Sequence, residues 1–142
     1  MLECFYPKVY LESTYEINFE QYYKDGYRAI IFDIDNTLVP HGAPADERAI
    51  ALFKRLHQLG YQTLMLSNNK EPRVKMFCDV VDAEYIYKAG KPDPAKYLEA
   101  MKRMGSDVGN TLFVGDQIFT DVWGAKRVGI RNILVKPINP KE

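Results

Sequence analysis

The sequence predicts an α/β fold in which helices cover both faces of a five-stranded parallel sheet, giving three layers. Short apolar runs alternate along the chain with segments whose apolar residues recur at helical spacing. The runs are almost continuously apolar, which is typical of strands buried on both faces. The chain has 142 residues, enough for one substantial core and too few for two domains of ordinary size. We therefore expect a single α/β/α domain.

The first 27 residues differ in composition from the rest of the chain. They are rich in tyrosine and phenylalanine, and these aromatic residues follow neither the period of a strand nor that of a helix. We predict that residues 1–27 form an arm with a short helix, which packs on the domain formed by residues 28–142. A contact with a partner or with a membrane surface is the alternative use of this arm.

Five strands and four helices are predicted after the arm. The strands lie at 29–34, 61–67, 84–88, 111–116 and 132–137, and the helices lie at 44–60, 71–81, 91–105 and 119–129. The first helix has apolar residues at helical spacing and stops at Gly60. The third has Asp93 as its expected N-cap, Pro94 in its first turn and Gly105 just past its end. This regular alternation predicts a Rossmann-like topology.

The composition excludes several classes of function. Lysine plus arginine equals aspartate plus glutamate, at 19 each, so the chain has no long-range field that would attract nucleic acid or an anionic membrane. Its two cysteines, Cys4 and Cys78, have no CxxC spacing, which argues against a zinc site or a disulfide framework. Because no targeting segment and no apolar stretch of membrane-spanning length is found, we expect a soluble, cytoplasmic protein.

Polar residues stand at the carboxyl ends of four predicted strands. They are Asp33 and Asp35 for the first strand, Ser67, Asn68 and Asn69 for the second, Lys91 for the third, and Asp116 and Asp121 for the fourth. In an open parallel sheet, ligands bind beyond the carboxyl ends of the strands. We therefore expect these side chains to share one site.

Carboxylates gathered at one point need a positive partner, and a divalent cation is the best candidate. Lys91 alone cannot balance three carboxylates. Magnesium prefers a few carboxylate oxygens, keeps several waters and takes further ligands from phosphate. We expect Asp33 and Asp116 to bind Mg²⁺, with the Ser67 hydroxyl and the Lys91 ammonium beside it. Such groups together form a cradle for a transferring phosphoryl group.

Four short motifs, DIDNTLV, LSNN, AGKP and GDQIFTD, resemble in order and spacing those of the haloacid dehalogenase-like (HAD) phosphohydrolases. The similarity spans residues 28–136. The chain is similar to the small IIIA subclass of this family. Within that subclass it resembles the YqeG-type branch, which is related to mitochondrial phosphatidylglycerophosphate phosphatases. The resemblance implies a Mg²⁺-dependent phosphatase that hydrolyses a phosphate monoester through an aspartyl-phosphate intermediate.

The resemblance also implies roles for individual residues. Asp33 resembles the nucleophile and Asp35 the general acid and base, and the backbone carbonyl of Asp35 is expected to bind Mg²⁺. The other implied roles are bracing of the turn for Thr37, phosphate binding for Ser67 and Lys91, a phosphate or substrate contact for Asn68, metal binding for Asp116 and ordering of the metal loop for Asp121. Asp121 can equally cap the last helix.

No cap domain fits between the motifs, because one helix and its flanking strands already fill each interval. An uncapped site must accept a bulky phosphate, or a second subunit must cover it. A macromolecular phosphate or a lipid headgroup meets the first condition, and phosphatidylglycerophosphate is the lipid that the resemblance suggests. The arm would then supply a peripheral membrane contact. A homo-oligomer acting on a small metabolite meets the second condition.

Two other interpretations compete with a phosphatase. A receiver-like phosphoacceptor also gathers aspartates, a hydroxyl and a lysine around Mg²⁺, but with these groups in a different chain order. A binding or assembly module would keep the fold without turning over a substrate.

Overall fold

The computed structural model describes residues 9–90, 93–116 and 128–138. Its elements are, in chain order, β1 (Val9–Leu11), a 3₁₀ turn (Thr14–Glu16), α1 (Phe19–Lys24), β2 (Ala29–Phe32), α2 (Glu47–Leu59), β3 (Gln62–Leu66), α3 (Glu71–Val81), β4 (Glu84–Ile86), α4 (Pro94–Met104), β5 (Thr111–Gly115) and β6 (Arg131–Val135). Every pair of neighbouring strands is parallel, and the sheet order is β1-β6-β5-β2-β3-β4.

The sheet formed by these residues has six strands, so the prediction of five was wrong by one. The additional strand is β1, which comes from the predicted arm and pairs Tyr10 with Leu134 of β6. It is three residues long and lies at the edge of the sheet, and Tyr10 is 57% exposed. Leu11 of this strand packs against the core, but three residues are too few to show the period of a strand in the sequence.

The described part of the arm packs on the sheet through Phe19, the first residue of α1. Its side chain is completely buried, with ring centroids 6.1 Å from Phe32 and 6.2 Å from Tyr61. The Tyr61 hydroxyl donates to the Phe19 carbonyl oxygen at 2.7 Å. The arm therefore shares the core of the domain, and the division of the chain at residue 27 stays a prediction.

Strand β2 lies at the centre of the sheet and is buried on both faces. Ile30 and Phe32 belong to the cluster of buried residues that includes α2 and α3, whereas Ala29 and Ile31 belong to the cluster that includes α4. All four side chains are completely buried. The three-layer α/β/α prediction is confirmed by this division. The fourth predicted helix, at 119–129, lies almost wholly outside the described residues.

The helix ends follow the local signals in the sequence. Asp93 accepts the N–H of Ala95 at 3.0 Å at the start of α4, and Gly105 ends that helix with a left-handed φ of 68°. Gly60 ends α2 in the same way, with φ 110°. None of the helices in the described ranges is long and apolar enough to cross a membrane.

Candidate active site

Three of the predicted site residues lie at the carboxyl ends of neighbouring strands. Asp33 directly follows β2, and its N–H donates to the Val114 carbonyl of β5 at 3.0 Å. Asp116 directly follows β5, and Ser67 directly follows β3. The chain leaves β2 toward β3 on one side and returns through β5 on the other, so this edge is the topological switch point of the sheet.

The turn after β2 brings the first motif into contact with the last. Thr37 is 1% exposed, and its hydroxyl donates to Oδ1 of Asp116 at 3.2 Å. The turn is compact because the Asn36 N–H donates to the Val39 carbonyl at 2.7 Å. Asn36 has a φ of 62°, a left-handed conformation that asparagine tolerates better than most residues. Thr37 thus connects two segments that are far apart in sequence.

The arm also supports this turn. The Thr14 hydroxyl donates to the Thr37 carbonyl at 2.8 Å, and the Tyr15 hydroxyl donates to the Leu38 carbonyl at 2.7 Å. Thr14 is completely buried. Burial raises the pKa of Tyr15 to about 12, with a further contribution from Asp46. The Tyr15 hydroxyl therefore keeps its proton, and its role as a donor, through the neutral range.

Asp35 is held by donors from three directions. Its Oδ1 accepts the Gly42 N–H at 2.7 Å and two nitrogens of Arg73, Nη2 at 2.8 Å and Nε at 3.3 Å. Its Oδ2 accepts Nδ2 of Asn69 at 2.6 Å. Burial opposes ionisation of Asp35, but the bonds from Gly42 and Arg73 outweigh it, and the pKa of Asp35 lies below its ordinary value. Asp35 is therefore a carboxylate at neutral pH in this arrangement.

Ser67 and the two asparagines after it form the turn between β3 and α3. Ser67 is 2% exposed, and its Oγ accepts the Asn69 N–H at 3.1 Å. This bond uses a lone pair of the oxygen, so the hydroxyl hydrogen keeps its capacity to donate. Asn68 is exposed. Asn69, between Ser67 and Asp35, connects the second motif to the first.

The two remaining predicted residues, Lys91 and Asp121, lie outside the described residues. The segment just before Lys91 is tied to the β3 turn: the Lys88 N–H donates to the Asn69 carbonyl and the Ala89 N–H to the Ser67 carbonyl, both at 2.9 Å. Lys88 has a φ of 48°, and Gly90 has a φ of 65°. The chain therefore turns sharply beside Ser67 before it reaches residue 91.

The oxygen donors at this edge fit a hard cation. The predicted ligands are the carboxylates of Asp33 and Asp116 and the backbone carbonyl of Asp35, a set of oxygens of the kind that Mg²⁺ prefers. Asp33 and Asp116 end adjacent strands, which lie about 4.8 Å apart in a sheet. Within residues 9–90, 93–116 and 128–138, no group of three or more His, Cys, Asp or Glu side chains could hold a metal ion. The predicted set has two such side chains.

Three residues that contact Asp35 had no predicted role, although Asn69 was expected to share the site. These are Gly42, Asn69 and Arg73. Asn69 stands within the LSNN motif, but nothing in a single sequence shows which of two adjacent asparagines turns inward. Arg73 lies in the first turn of α3, where the helix dipole disfavours a cation. An arginine at this end of a helix was therefore the one feature of the sequence that could have indicated a carboxylate partner elsewhere in the chain.

Comparison with known proteins identifies the family. The haloacid dehalogenase-like hydrolase model matches residues 42–129. The protein named "Probable phosphatase YqeG" of Bacillus subtilis (strain 168) is 35% identical over 140 residues, which cover 97% of this chain and 81% of that protein. The chain belongs to the haloacid dehalogenase-like hydrolase family, and it is a phosphatase of that family.

A more distant relative and a solved structure are also similar to this chain. "Phosphatidylglycerophosphate phosphatase 1, chloroplastic/mitochondrial" of Arabidopsis thaliana is 24% identical over 152 residues, covering 96% of this chain and 42% of that protein. The crystal structure of a HAD phosphatase from Thermococcus onnurineus shares the fold, with a TM-score of 0.57 and 24% identity over 65% of this chain and 46% of that chain.

Removal of the Thr14 hydroxyl is expected to weaken the turn that carries the site. Thr14→Val keeps the shape of the side chain but leaves the buried Thr37 carbonyl without this donor, which should destabilise the fold by about 1–3 kcal/mol. Chemical denaturation measures the loss, and Thr14→Ser, which keeps the hydroxyl, is the matched control. Equal stability of Thr14→Val and the wild type would show that this hydrogen bond does not support the turn.

Proposed function

We propose that this phosphatase is a Mg²⁺-dependent phosphomonoesterase in which Asp33 accepts the phosphoryl group as an aspartyl-phosphate. The observation that carries the proposal is the hydrogen bond from Thr37 to Asp116. It joins the turn that follows Asp33 to the end of the neighbouring strand, which supports a shared role for Asp33 and Asp116. Ser67 on the other side of β2 supplies a hydroxyl there.

In the first half of the proposed reaction, an Oδ atom of Asp33 attacks phosphorus. A bond forms between that oxygen and phosphorus, the bond between phosphorus and the ester oxygen breaks, and the leaving alcohol takes a proton from Asp35. In the second half, water attacks phosphorus and the bond between phosphorus and the Asp33 oxygen breaks. Asp35 takes a proton from the water, which regenerates its protonated form, and inorganic phosphate leaves. The first half requires Asp35 to carry a proton, whereas the hydrogen bonds from Gly42 and Arg73, against the effect of burial, lower its pKa and favour the ionised form that the second half requires.

Bound Mg²⁺ would neutralise charge on the phosphoryl oxygens. The residues proposed to hold it are Asp33 and Asp116, with the carbonyl of Asp35. Ser67, Asn68 and Lys91 are proposed to bind the phosphoryl oxygens, Lys91 on the strength of the sequence motif. Asp121 is proposed to order the loop after Asp116, also from its motif.

The proposed substrate is a bulky phosphate monoester, with phosphatidylglycerophosphate as the leading candidate. A single helix fills each interval between the first three motifs in the described residues, so the chain itself offers no lid there. The relative from Arabidopsis thaliana carries that substrate in its name. The alternatives are a small metabolite covered by a second copy of the chain, and a binding module without turnover. A lipid substrate would bring the protein to a membrane surface as a peripheral partner.

Asp33→Asn is expected to abolish turnover while leaving the fold intact. The amide is a poor nucleophile, so kcat should fall by roughly 10³-fold or more. Release of inorganic phosphate from an aryl phosphate measures the loss, and circular dichroism checks the fold. Asp79→Asn, which changes an exposed carboxylate on α3, is the control. Turnover by Asp33→Asn at the wild-type rate would refute the assignment of Asp33 as nucleophile.

Removal of divalent cations should stop phosphate release, and added Mg²⁺ should restore it. Asp116→Asn should raise the Mg²⁺ concentration needed for half-maximal activity, by about tenfold or more, because one anionic ligand is lost. Titration of activity against Mg²⁺ compares this variant with the wild type. Full activity of the wild type after chelation would exclude the proposed cation requirement.

A substrate panel tests the proposed class of ester. Phosphate release is measured for phosphatidylglycerophosphate in mixed micelles beside sugar phosphates, nucleotides and a phosphoprotein. We expect the highest kcat/KM for the lipid. A clear preference for a small metabolite, together with a dimer in solution, would favour the alternative in which a second copy covers the site. A blank panel would favour the binding module.

A further inference from the structure

Arg73 of α3 forms an ion pair with Asp35, which lies in the turn after β2. The Arg73–Asp35 pair is largely enclosed, with 14% of the Arg73 side chain and 12% of the Asp35 side chain exposed. Two guanidinium nitrogens, Nη2 and Nε, donate to the same carboxylate oxygen. Both donors anchor Oδ1, and the orientation of the carboxylate is fixed because Asn69 holds Oδ2 at the same time.

The local structure around Arg73 favours other residues at this position. Arg73 is the third residue of α3, where the positive end of the helix dipole opposes a cation. Its Nη1 is buried and has no hydrogen-bond partner among the described residues. A buried donor without a partner is costly and calls for an explanation. A role for Arg73 in binding the Asp35 carboxylate explains both the unfavourable position in the helix dipole and the buried Nη1.

The other donors to Asp35 complete a clamp around its side chain. Gly42 donates to the oxygen that Arg73 holds, and Asn69 donates to the second oxygen. Asn69 is fixed in turn, because its N–H donates to Ser67 and its carbonyl accepts the N–H of Lys88. Arg73 provides the only charged donor of this clamp in the described ranges, and it provides two of the four hydrogen bonds.

We propose that Arg73 is a positioning residue for catalysis: it fixes the orientation of the Asp35 carboxylate so that this group faces the reacting oxygen. The inference rests on the proposed function, in which Asp35 transfers the proton. Arg73 acts on turnover through Asp35, and it does not itself bind the substrate. Its loss should therefore lower kcat and leave KM nearly unchanged.

Steady-state kinetics of Arg73→Met and Arg73→Lys with an aryl phosphate test this inference. We expect kcat of Arg73→Met to fall about 10–100-fold, as for a catalytic group that is slightly misplaced. Arg73→Lys keeps the charge but not the paired donors, and it should recover part of the loss. Arg103→Met is the matched control, since it removes an exposed arginine that pairs with Glu99 at 2.6 Å, and it should keep wild-type kinetics. Thermal unfolding shows that each variant is folded at the assay temperature.

A double-mutant cycle separates positioning from a direct role. In the Asp35→Asn background, Arg73→Met should cause no further loss of kcat, because the group on which Arg73 acts is already altered. An unchanged kcat of Arg73→Met would overturn the inference, and so would an effect on KM alone or a loss that persists in the Asp35→Asn background. If the wild type itself releases no phosphate, the proposed function fails and this inference fails with it. An active wild type with an equally active Arg73→Met overturns this inference alone.

Discussion

The enclosure of strand β2 is the constraint on which the rest of the structure depends. Its backbone is hydrogen-bonded to β3 on one edge and to β5 on the other, and none of its four side chains reaches solvent. Charged groups that follow such a strand can emerge only at its carboxyl end. Because the neighbouring strands are parallel to β2, their own carboxyl ends lie beside it. The position of the proposed active site is therefore a consequence of how the core is packed.

The carboxylates at this edge are compensated in different ways. Asp35 is satisfied by the protein itself, through a backbone N–H, an amide and a guanidinium. Asp116 accepts a hydrogen bond from the hydroxyl of Thr37, a neutral group that orients the carboxylate. The same separation of environments allows neighbouring carboxylates to take different roles.

The sequence predicted the central part of the fold well because apolar runs and helix caps are local signals. Continuous apolar runs marked β2, β3 and β5, and Asp93 and Gly105 marked the ends of α4. The strand β1 escaped prediction, since an edge strand of three residues is too short to show a periodic pattern. In the site, the strand-end positions of Asp33, Ser67 and Asp116 followed from the sheet pattern. The contacts of Arg73 and Asn69 with Asp35 did not, because they depend on how α3 and its turn are oriented after folding.

The hydrogen bonds of the Thr14 and Tyr15 hydroxyls limit how far the chain can be shortened at its N-terminal end. Both donate to carbonyls of the turn that follows Asp33 and Asp35, and β1 covers the edge of β6. A fragment that starts at Arg28 would retain every motif of the family. It would nonetheless leave two carbonyls of that turn without these donors and open one edge of the sheet to other chains. For protein engineering, the minimal catalytic unit must therefore begin before β1, upstream of the first recognisable motif.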